Sequence, residues 1–377
     1  MKRLNEISDI IMGQSPASST YNTIGEGVPF FQGNADFGIE HPNVRVYCSL
    51  PTKMSEKGDV LISVRAPIGA VNIANQTCCI GRGLAAVRPL EGKSQTRYLY
   101  HLLIANKEVL ESKGTGSTFK AITGKVLNDV HVPSYNMEQQ KEIARLLDTV
   151  VAAITKRRKQ IDFYNDLVKS QFIEMFGEIG SDKNGWGMRP LAECCDVNPK
   201  KGEDARIQKG MEVSFVPMQS VSEQGDIDTT VVKTYEEVQK GFTYFSEGDV
   251  LFAKITPCME NGKGAIARGL KNSVGFGSTE FHVLRPKAGV CNSEWIYAIT
   301  SFPQFRQDAA RKMTGSAGQR RVPASFLASY MVSCPPFELQ EQFTRFVEQT
   351  DKSKFRIKQS LEKLETLYKA LLQKYFG

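Results

Sequence analysis

In Pro29-Phe30-Phe31-Gln32-Gly33-Asn34-Ala35-Asp36, two amide side chains stand in a polar turn behind an aromatic run, and Arg65 and Arg82 stand beside turn residues further along. A Gln or Asn amide can pair with both major-groove atoms of an adenine, and an Arg fork with those of a guanine, so Gln32, Asn34, Arg65 and Arg82 are candidate base readers. The segment Lys113-Gly114-Thr115-Gly116-Ser117-Thr118-Phe119-Lys120 suits a phosphate. Its small residues let backbone N–H groups approach, and the flanking lysines supply charge. Lys113, Thr115, Ser117 and Lys120 are nominated from it, although the same segment also reads as a turn ahead of a strand. Counterparts in the second half of the chain are Gln219, Ser220, Lys254, Thr256, Lys312, Thr314, Ser316, Gln319 and Arg320. For single Arg and Lys residues a solvated surface charge is the competing reading.

Catalytic chemistry is harder to assemble. Ser333-Cys334-Pro335-Pro336-Phe337 looks like the Asn/Asp-Pro-Pro-aromatic motif with which adenine methyltransferases grip the target amine, but a thiol in the acceptor's place cannot take two N–H bonds. No glycine-rich loop with a following acid is present to hold a cofactor, so a self-contained methyltransferase is kept only as an alternative. Asp59 with Glu91-Gly92-Lys93 could hold magnesium for a nuclease, yet the second half reads Pro286-Lys287-Ala288-Gly289 at the latter point. Gly124-Lys125-Val126 lacks the upstream glycine and the hydroxyl of a nucleotide-binding loop. The eight cysteines (Cys48, Cys78, Cys79, Cys194, Cys195, Cys258, Cys291 and Cys334) show no C-x-x-C spacing and read as reduced, mostly buried thiols. His41, His101, His131 and His282 lie far apart, without metal-ligand spacing. No catalytic residue and no metal are assigned to the chain.

These candidates need elements to carry them, and the chain is written twice. Leu4-x-Glu6 returns as Leu191-x-Glu193, Lys57-Gly58-Asp59-Val60-Leu61 as Glu247-Gly248-Asp249-Val250-Leu251, and Arg65-Ala66-Pro67 as Ile255-Thr256-Pro257. Arg88-Pro89 returns as Arg285-Pro286, Thr115-Gly116-Ser117 as Thr314-Gly315-Ser316, and Phe176-Gly177 as Phe376-Gly377. Any one match is a commonplace; their shared order is not. With 377 residues, 41% hydrophobic and 24% charged, the chain has the length of roughly two domains. No apolar run approaches the ~20 residues that cross a bilayer, so no membrane partner is expected. The first residues put acids where a signal peptide needs apolar ones, so export is not expected and a cytoplasmic location is. The formal charge of +7 favours a polyanionic partner only mildly.

Each copy opens with short strand-like runs, such as Val60-Leu61-Ile62-Ser63-Val64 and Val250-Leu251-Phe252-Ala253-Lys254, between Gly, Pro and Asn turns. Helical patterns over 97–111 and 293–311 precede the Thr-Gly-Ser loops. Residues 138–176 then contain no Gly or Pro and predict a long helix. Its stripe is Ile143, Leu147, Val150, Ile154, Arg157, Ile161, Tyr164, Val168, Gln171 and Met175, apolar except at Arg157 and Gln171. Near the chain's end the same lattice reads Phe343, Val347, Thr350, Lys354, Ile357, Leu361, Leu364, Tyr368, Leu371 and Tyr375. A heptad seam of this length predicts coiled-coil packing, and an approximate two-fold makes the pair antiparallel. Two independent amphipathic helices are the competing reading. Paired, the helices form a rod of about 58 Å, or roughly 17 base pairs of duplex. Arg157 falls on the seam and must turn outward or pair with an acid. The run Lys156-Arg157-Arg158-Lys159 could follow phosphates, or simply line an exposed face.

On these features the chain resembles the specificity subunits of type I restriction-modification systems over essentially its whole length. The resemblance rests on the Thr-Gly-Ser loops followed by a strand and prolines (Val132-Pro133; Cys334-Pro335-Pro336). It also rests on the Gln-rich helix starts Met137-Glu138-Gln139-Gln140 and Leu339-Gln340-Glu341-Gln342, and on Pro29 to Asp36. The second copy departs from the pattern where Arg345 falls on the position of Ile143, so its helix start is expected to be shifted or less tightly docked. The resemblance implies a mixed α/β fold with two target-recognition domains, residues 1–135 and 178–336, joined by spacer helices at 136–177 and 337–377. It implies a double-stranded DNA partner, two methyltransferase subunits using S-adenosylmethionine, and two motor-nuclease restriction subunits using ATP and magnesium. Those cofactors belong to the partners. A scaffold on a coiled coil that binds no DNA is the remaining alternative, separable by the salt dependence of binding.

Overall fold

The structure, a computed structural model, describes residues 1–116, 120–202, 207–316 and 318–377. The chain forms two compact units, residues 1–159 with 358–377, and residues 160–357.

In the first unit the run Val60–Ser63 is wholly buried at the middle of an antiparallel four-stranded sheet, ordered Ser8–Met12, Leu84–Pro89, Val60–Ser63, Val71–Ile73. Successive side chains of a strand point to opposite faces. Val60, Ile62, Ala85 and Val87 therefore pack on the helix Thr96–Ala105 through Tyr98, Leu99, Leu102 and Leu103. Leu61, Leu84 and Ala86 meet Phe31, Cys78 and Ile80 of a second, five-stranded sheet. In that second sheet Val28–Phe31 and Cys78–Ile80 run parallel.

The second unit repeats the plan. Its first sheet is ordered Cys195–Val197, Phe281–Pro286, Val250–Ala253, Gly264–Ile266. Val250, Phe252 and Leu284 pack on Trp295, Ile296, Ile299 and Phe305, while Leu251, Phe281 and Val283 meet Val216 and Phe245. Glu212–Val216 and Val274–Gly277 form the parallel pair.

Both helical patterns ahead of the Thr-Gly-Ser loops are broken in two, where a continuous helix is expected. Residues 97–111 form Thr96–Ala105 and Lys107–Ser112, because Asn106 turns its side chain back to donate to the Leu102 carbonyl (2.9 Å). Residues 293–311 form Ser293–Ser301 and Pro303–Lys312, since Pro303 has no N–H to continue the first helix and serves well at the start of the next.

The long helices are Met137–Phe176 and Phe337–Phe376. Gln140 donates to the carbonyls of Lys93 (2.9 Å) and Tyr135 (3.1 Å), and Gln340 likewise to those of Val290 (3.0 Å) and Pro335 (2.9 Å). Matching these two glutamines aligns Phe343 with Ile143. The expectation that Arg345 takes that place is thereby corrected: Phe343 is fully buried, Arg345 exposed, and the second helix start is neither shifted nor loose. Of the seam positions, Ile143, Leu147, Val150, Ile154, Phe343 and Thr350 are buried. Arg157, Ile161, Tyr164, Val168, Val347, Ile357, Leu361, Leu364, Tyr368 and Leu371 are half-buried.

Within the first unit Ile143 and Leu147 share a core with Tyr368, Leu371, Leu372 and Phe376. There His101, fully buried, sits between Asp148 and Tyr368. A tautomer with the proton on Nε2 satisfies both contacts, donating to Asp148 (2.7 Å) and accepting from the Tyr368 hydroxyl at Nδ1 (2.9 Å). Within the second unit Phe172 and Phe176 place their rings 5.6 and 5.5 Å from that of Phe343.

Candidate nucleic-acid interface

Two of the repeated sequence motifs turn out to be partners of each other. Gly58 and Gly248 adopt left-handed φ values of 95° and 85°, which turn the chain into the central strand. The following Asp59 takes a bidentate fork from Arg88 (both contacts 2.9 Å), and Asp249 takes the same fork from Arg285 (2.8 and 2.7 Å). Each aspartate also accepts a backbone N–H of its own turn, Glu56 to Asp59 (2.8 Å) and Ser246 to Asp249 (2.7 Å). The hydrogen bonds that Arg88 donates to Asp59 raise the pKa of Arg88, and those that Arg285 donates to Asp249 raise the pKa of Arg285. This pairing occupies the carboxylate proposed for a nuclease and fixes the strand whose far end delivers Arg65.

In the first unit the parallel strands Val28–Phe31 and Cys78–Ile80 end side by side, bringing Gln32 and Arg82 to one edge next to the exit of Val60–Ser63. The Gly81 N–H donates to the Phe31 carbonyl (2.8 Å) and the Val64 N–H to the Gly83 carbonyl (2.9 Å). A cleft of about 240 Å³ results, lined by Gln32, Gly33, Asn34, Ser63, Arg65, Ala66, Arg82 and Gly83. All four base readers nominated in this half thus line one depression. The Asp36 carboxylate holds the turn through the Gln32 N–H (2.8 Å) and is itself bound by Arg45. Glycine is required at Gly83, where a Cβ would lie 2.5 Å from the Gln32 carbonyl oxygen, and one on Gly81 would lie 2.9 Å from Gln32 Oε1 and push the amide aside. Arg65 and Arg82 are exposed, and among the described residues neither guanidinium forms an ion pair.

The lysine-flanked loop lies against the same segment. Thr115 and Ala121 exchange backbone bonds (2.9 and 2.8 Å), and the Ala66 N–H donates to the Lys120 carbonyl (3.0 Å). Lys113, Thr115 and Lys120 are exposed, whereas Ser117 lies outside the described residues.

The second unit has the same framework with different side chains. Thr314 and Arg321 exchange backbone bonds (3.0 and 2.8 Å), and the Thr256 N–H donates to the Arg320 carbonyl (3.0 Å). Because the Ser278 N–H bonds Val216 as Gly81 bonds Phe31, and the Lys254 N–H bonds Glu280 as Val64 bonds Gly83, Thr279 stands where Arg82 does and Glu280 where Gly83 does. Glu280 takes a fork from Arg321 (2.9 and 2.8 Å). The Arg321 hydrogen bond, outweighing desolvation, holds the Glu280 carboxyl below its ordinary range. Glu260 accepts from the Thr256 hydroxyl (2.9 Å) and pairs with Arg320 (3.8 Å). Gln219, Lys312, Thr314, Ser316, Gln319 and Arg320 are exposed; Ser220, Lys254 and Thr256 are half-buried.

Sequence reasoning passed over Ser15, Asp36 and Arg45 in the first unit and Glu260, Glu280 and Arg321 in the second. Gly81-Arg82-Gly83 carried a readable signal, an arginine bracketed by residues without side chains. The acids carried none, since nothing in their spacing marks them as facing a cation. Cys334, nominated only by analogy with a methyltransferase motif, is buried beside Val290 and donates weakly to its carbonyl (3.8 Å). All eight cysteines are free thiols, and among the described residues no cluster of His, Cys, Asp or Glu is arranged to hold a metal ion. No described helix is long and apolar enough to cross a membrane.

The EcoAI specificity subunit of Escherichia coli is 37% identical over 194 residues, which are 50% of this chain and 32% of that protein. The EcoEI specificity subunit of the same species is 42% identical over 153 residues, 40% of this chain and 25% of that one. The chain therefore matches only about a third and a quarter of the length of these relatives. A type I restriction-modification S subunit from M. genitalium, known from its crystal structure, has the same fold with a TM-score of 0.56, covering 100% of this chain and 95% of that one at 15% identity. The sequence model described as the type I restriction modification DNA specificity domain matches residues 1–161 and again 183–366. Duplicated sheets, duplicated Asp–Arg forks and a duplicated family match agree, and the chain belongs to the type I restriction-modification DNA specificity family.

Proposed function

We propose that the chain is the DNA-reading subunit of a type I restriction-modification complex and carries no catalytic centre. Residues 1–135 and 178–336 are the two target-recognition domains, each reading one half of a split target. Residues 136–177 and 337–377 pair as an antiparallel coiled coil that sets the spacer between the halves. The subunit recruits two methyltransferase subunits, which bring S-adenosylmethionine, and two restriction subunits, which bring ATP and magnesium, in the cytoplasm of a bacterium or archaeon.

The observation that supports this reading best is the first-unit cleft. It places two amides and two unpaired guanidiniums side by side, the side-chain types that address adenine and guanine edges, while Lys113 and Lys120 flank it for the backbone. In the second unit Gln219, Ser220, Lys254, Thr256, Lys312, Thr314, Ser316, Gln319 and Arg320 take the corresponding role, and Ser117 completes the first loop. Exchanging residues 1–135 for those of another family member, in cells whose methylome is then sequenced, should change one half of the modified target and leave the other half and the spacer as they were. Changes in both halves would overturn independent reading heads.

A further inference from the structure

We propose that Ser15 is a specificity-determining positioning residue that restricts what Gln32 shows to DNA; the proposal rests on the reading of the first-unit cleft given above. Ser15 follows the strand Ser8–Met12 and lies half-buried at the cleft's margin. Its hydroxyl donates to Gln32 Oε1 (3.3 Å), accepts from Gln32 Nε2 (3.0 Å) and accepts the Arg82 N–H (3.2 Å). A serine hydroxyl has one hydrogen and two lone pairs, so these three contacts use its whole capacity. It has nothing left for DNA, and its role is to hold Gln32.

Both amide atoms of Gln32 are bonded to one carbon, so an oxygen within reach of both sits astride the edge between them. That edge, carbonyl oxygen plus the adjacent N–H, is the one an amide needs to pair with adenine N6 and N7 together. Docked on Ser15, Gln32 keeps one N–H and one carbonyl lone pair, turned away from each other, so it can offer DNA single contacts but no bidentate pair. Guanine N7 or O6, adenine N7 and thymine O4 all accept from that N–H, so the base facing Gln32 is read loosely. The surroundings favour the docked state. Asp36 fixes the Gln32 backbone, and Gly81, having no Cβ, leaves Oε1 the space it occupies beside Ser15.

Selection from a random duplex library by the full chain with its methyltransferase partner tests this. Wild type should tolerate more than one acceptor-bearing base at one position of the first half-site. Ser15→Ala should free the amide edge and raise preference for adenine there about tenfold, the worth of one bidentate contact. Ser15→Thr, which keeps the hydroxyl, should behave as wild type, and the second half-site should not change in any variant. If Ser15→Ala weakens binding at every sequence alike, or leaves base preference as it was while Gln32→Ala alters it, the role of Ser15 is refuted and the cleft reading stands. If Gln32→Ala and the double substitution of Arg65 and Arg82 by Ala also leave the selected sequences unchanged, the cleft reading itself fails.

Discussion

The two units share a framework and differ in the charge they set on it. Where the first has Gly81-Arg82-Gly83, the second has Ser278-Thr279-Glu280. One offers an unpaired cation and bare backbone, the other a carboxylate that already holds Arg321. Beneath both lie the same sheets and the same Asp–Arg fork. Hydrophobic alternation and one buried charge pair therefore set the fold, while the residues just past the strand ends set what it meets. These are independent parts of the sequence, so recognition can change without disturbing the core.

The largest effects should be the shared ones. Asp59 and its counterpart Asp249 have side chains only 3% and 2% exposed; removing either deprives its arginine of the buried fork, and Arg88 then keeps only an exposed pair with Glu56. Asp59→Ala and Asp249→Ala should each destabilise their own unit by roughly 3 kcal/mol. Hydrogen exchange in Val60–Ser63 and Val250–Ala253 reports each unit separately. A loss in one unit and none in the other would end the claim of a common framework.

Next comes the contrast between the reading surfaces. Replacing both Arg65 and Arg82 by Ala removes two free guanidiniums and should lower DNA affinity about a hundredfold, at roughly 1 to 3 kcal/mol per base contact. Arg321→Ala removes a cation already engaged by Glu280 and should cost about threefold at most, because little of its charge is offered to phosphate. Titrations of the full chain with its methyltransferase at fixed salt measure both. Equal losses would mean that pairing with Glu280 does not matter.

Much of this framework was legible in the sequence. The strand Val60–Ser63, the long helices and the order of the repeated motifs followed from apolar period and turn residues. Gln32, Asn34, Arg65 and Arg82 are nominated by side-chain type beside turn residues; that they line one cleft depends on the parallel pairing of Val28–Phe31 with Cys78–Ile80, which spacing does not show. Register was less legible: the heptad lattice sets Phe343 against Ile143 while the family pattern sets Arg345 there, and the buried contacts of Gln140 and Gln340 that decide between them cannot be read from spacing. The roles of Ser15 and Glu280 were invisible for the same reason. Each depends on a neighbour far along the chain, Gln32 for the serine and Arg321 for the glutamate, brought near only by sheet pairing.

A smaller effect should follow from Glu280→Gln. Neutralising that carboxylate frees Arg321 and should raise affinity for a duplex carrying only the second half-site by a few-fold. It should also steepen the slope of log affinity against log salt by about 0.9, the value for one added phosphate contact. The same substitution leaves the first half-site untouched. An unchanged slope would place Arg321 away from the DNA.

The smallest effect is in pH, and it separates the units without mutation. Glu280 has its pKa lowered from 4.5, so in the folded chain its charge persists below the point at which an ordinary glutamate is protonated. Its pairing with Arg321 thus contributes to folding above pH 4.5 and is lost only as pH falls through the lower folded value. From pH 8 to 5 the pair stays intact and second-half-site binding should not vary on its account. Below that range protonation releases Arg321, and affinity for the second half-site should rise relative to the first, whose cleft is lined by no carboxylate. The ratio of the two affinities, measured at constant ionic strength while the chain remains folded by circular dichroism, should be flat and then converge on the acid side. Glu280→Gln should remove the pH dependence of that ratio. A ratio that changes between pH 8 and 5, or that still titrates in the variant, would show that some group other than Glu280 sets the difference between the two units.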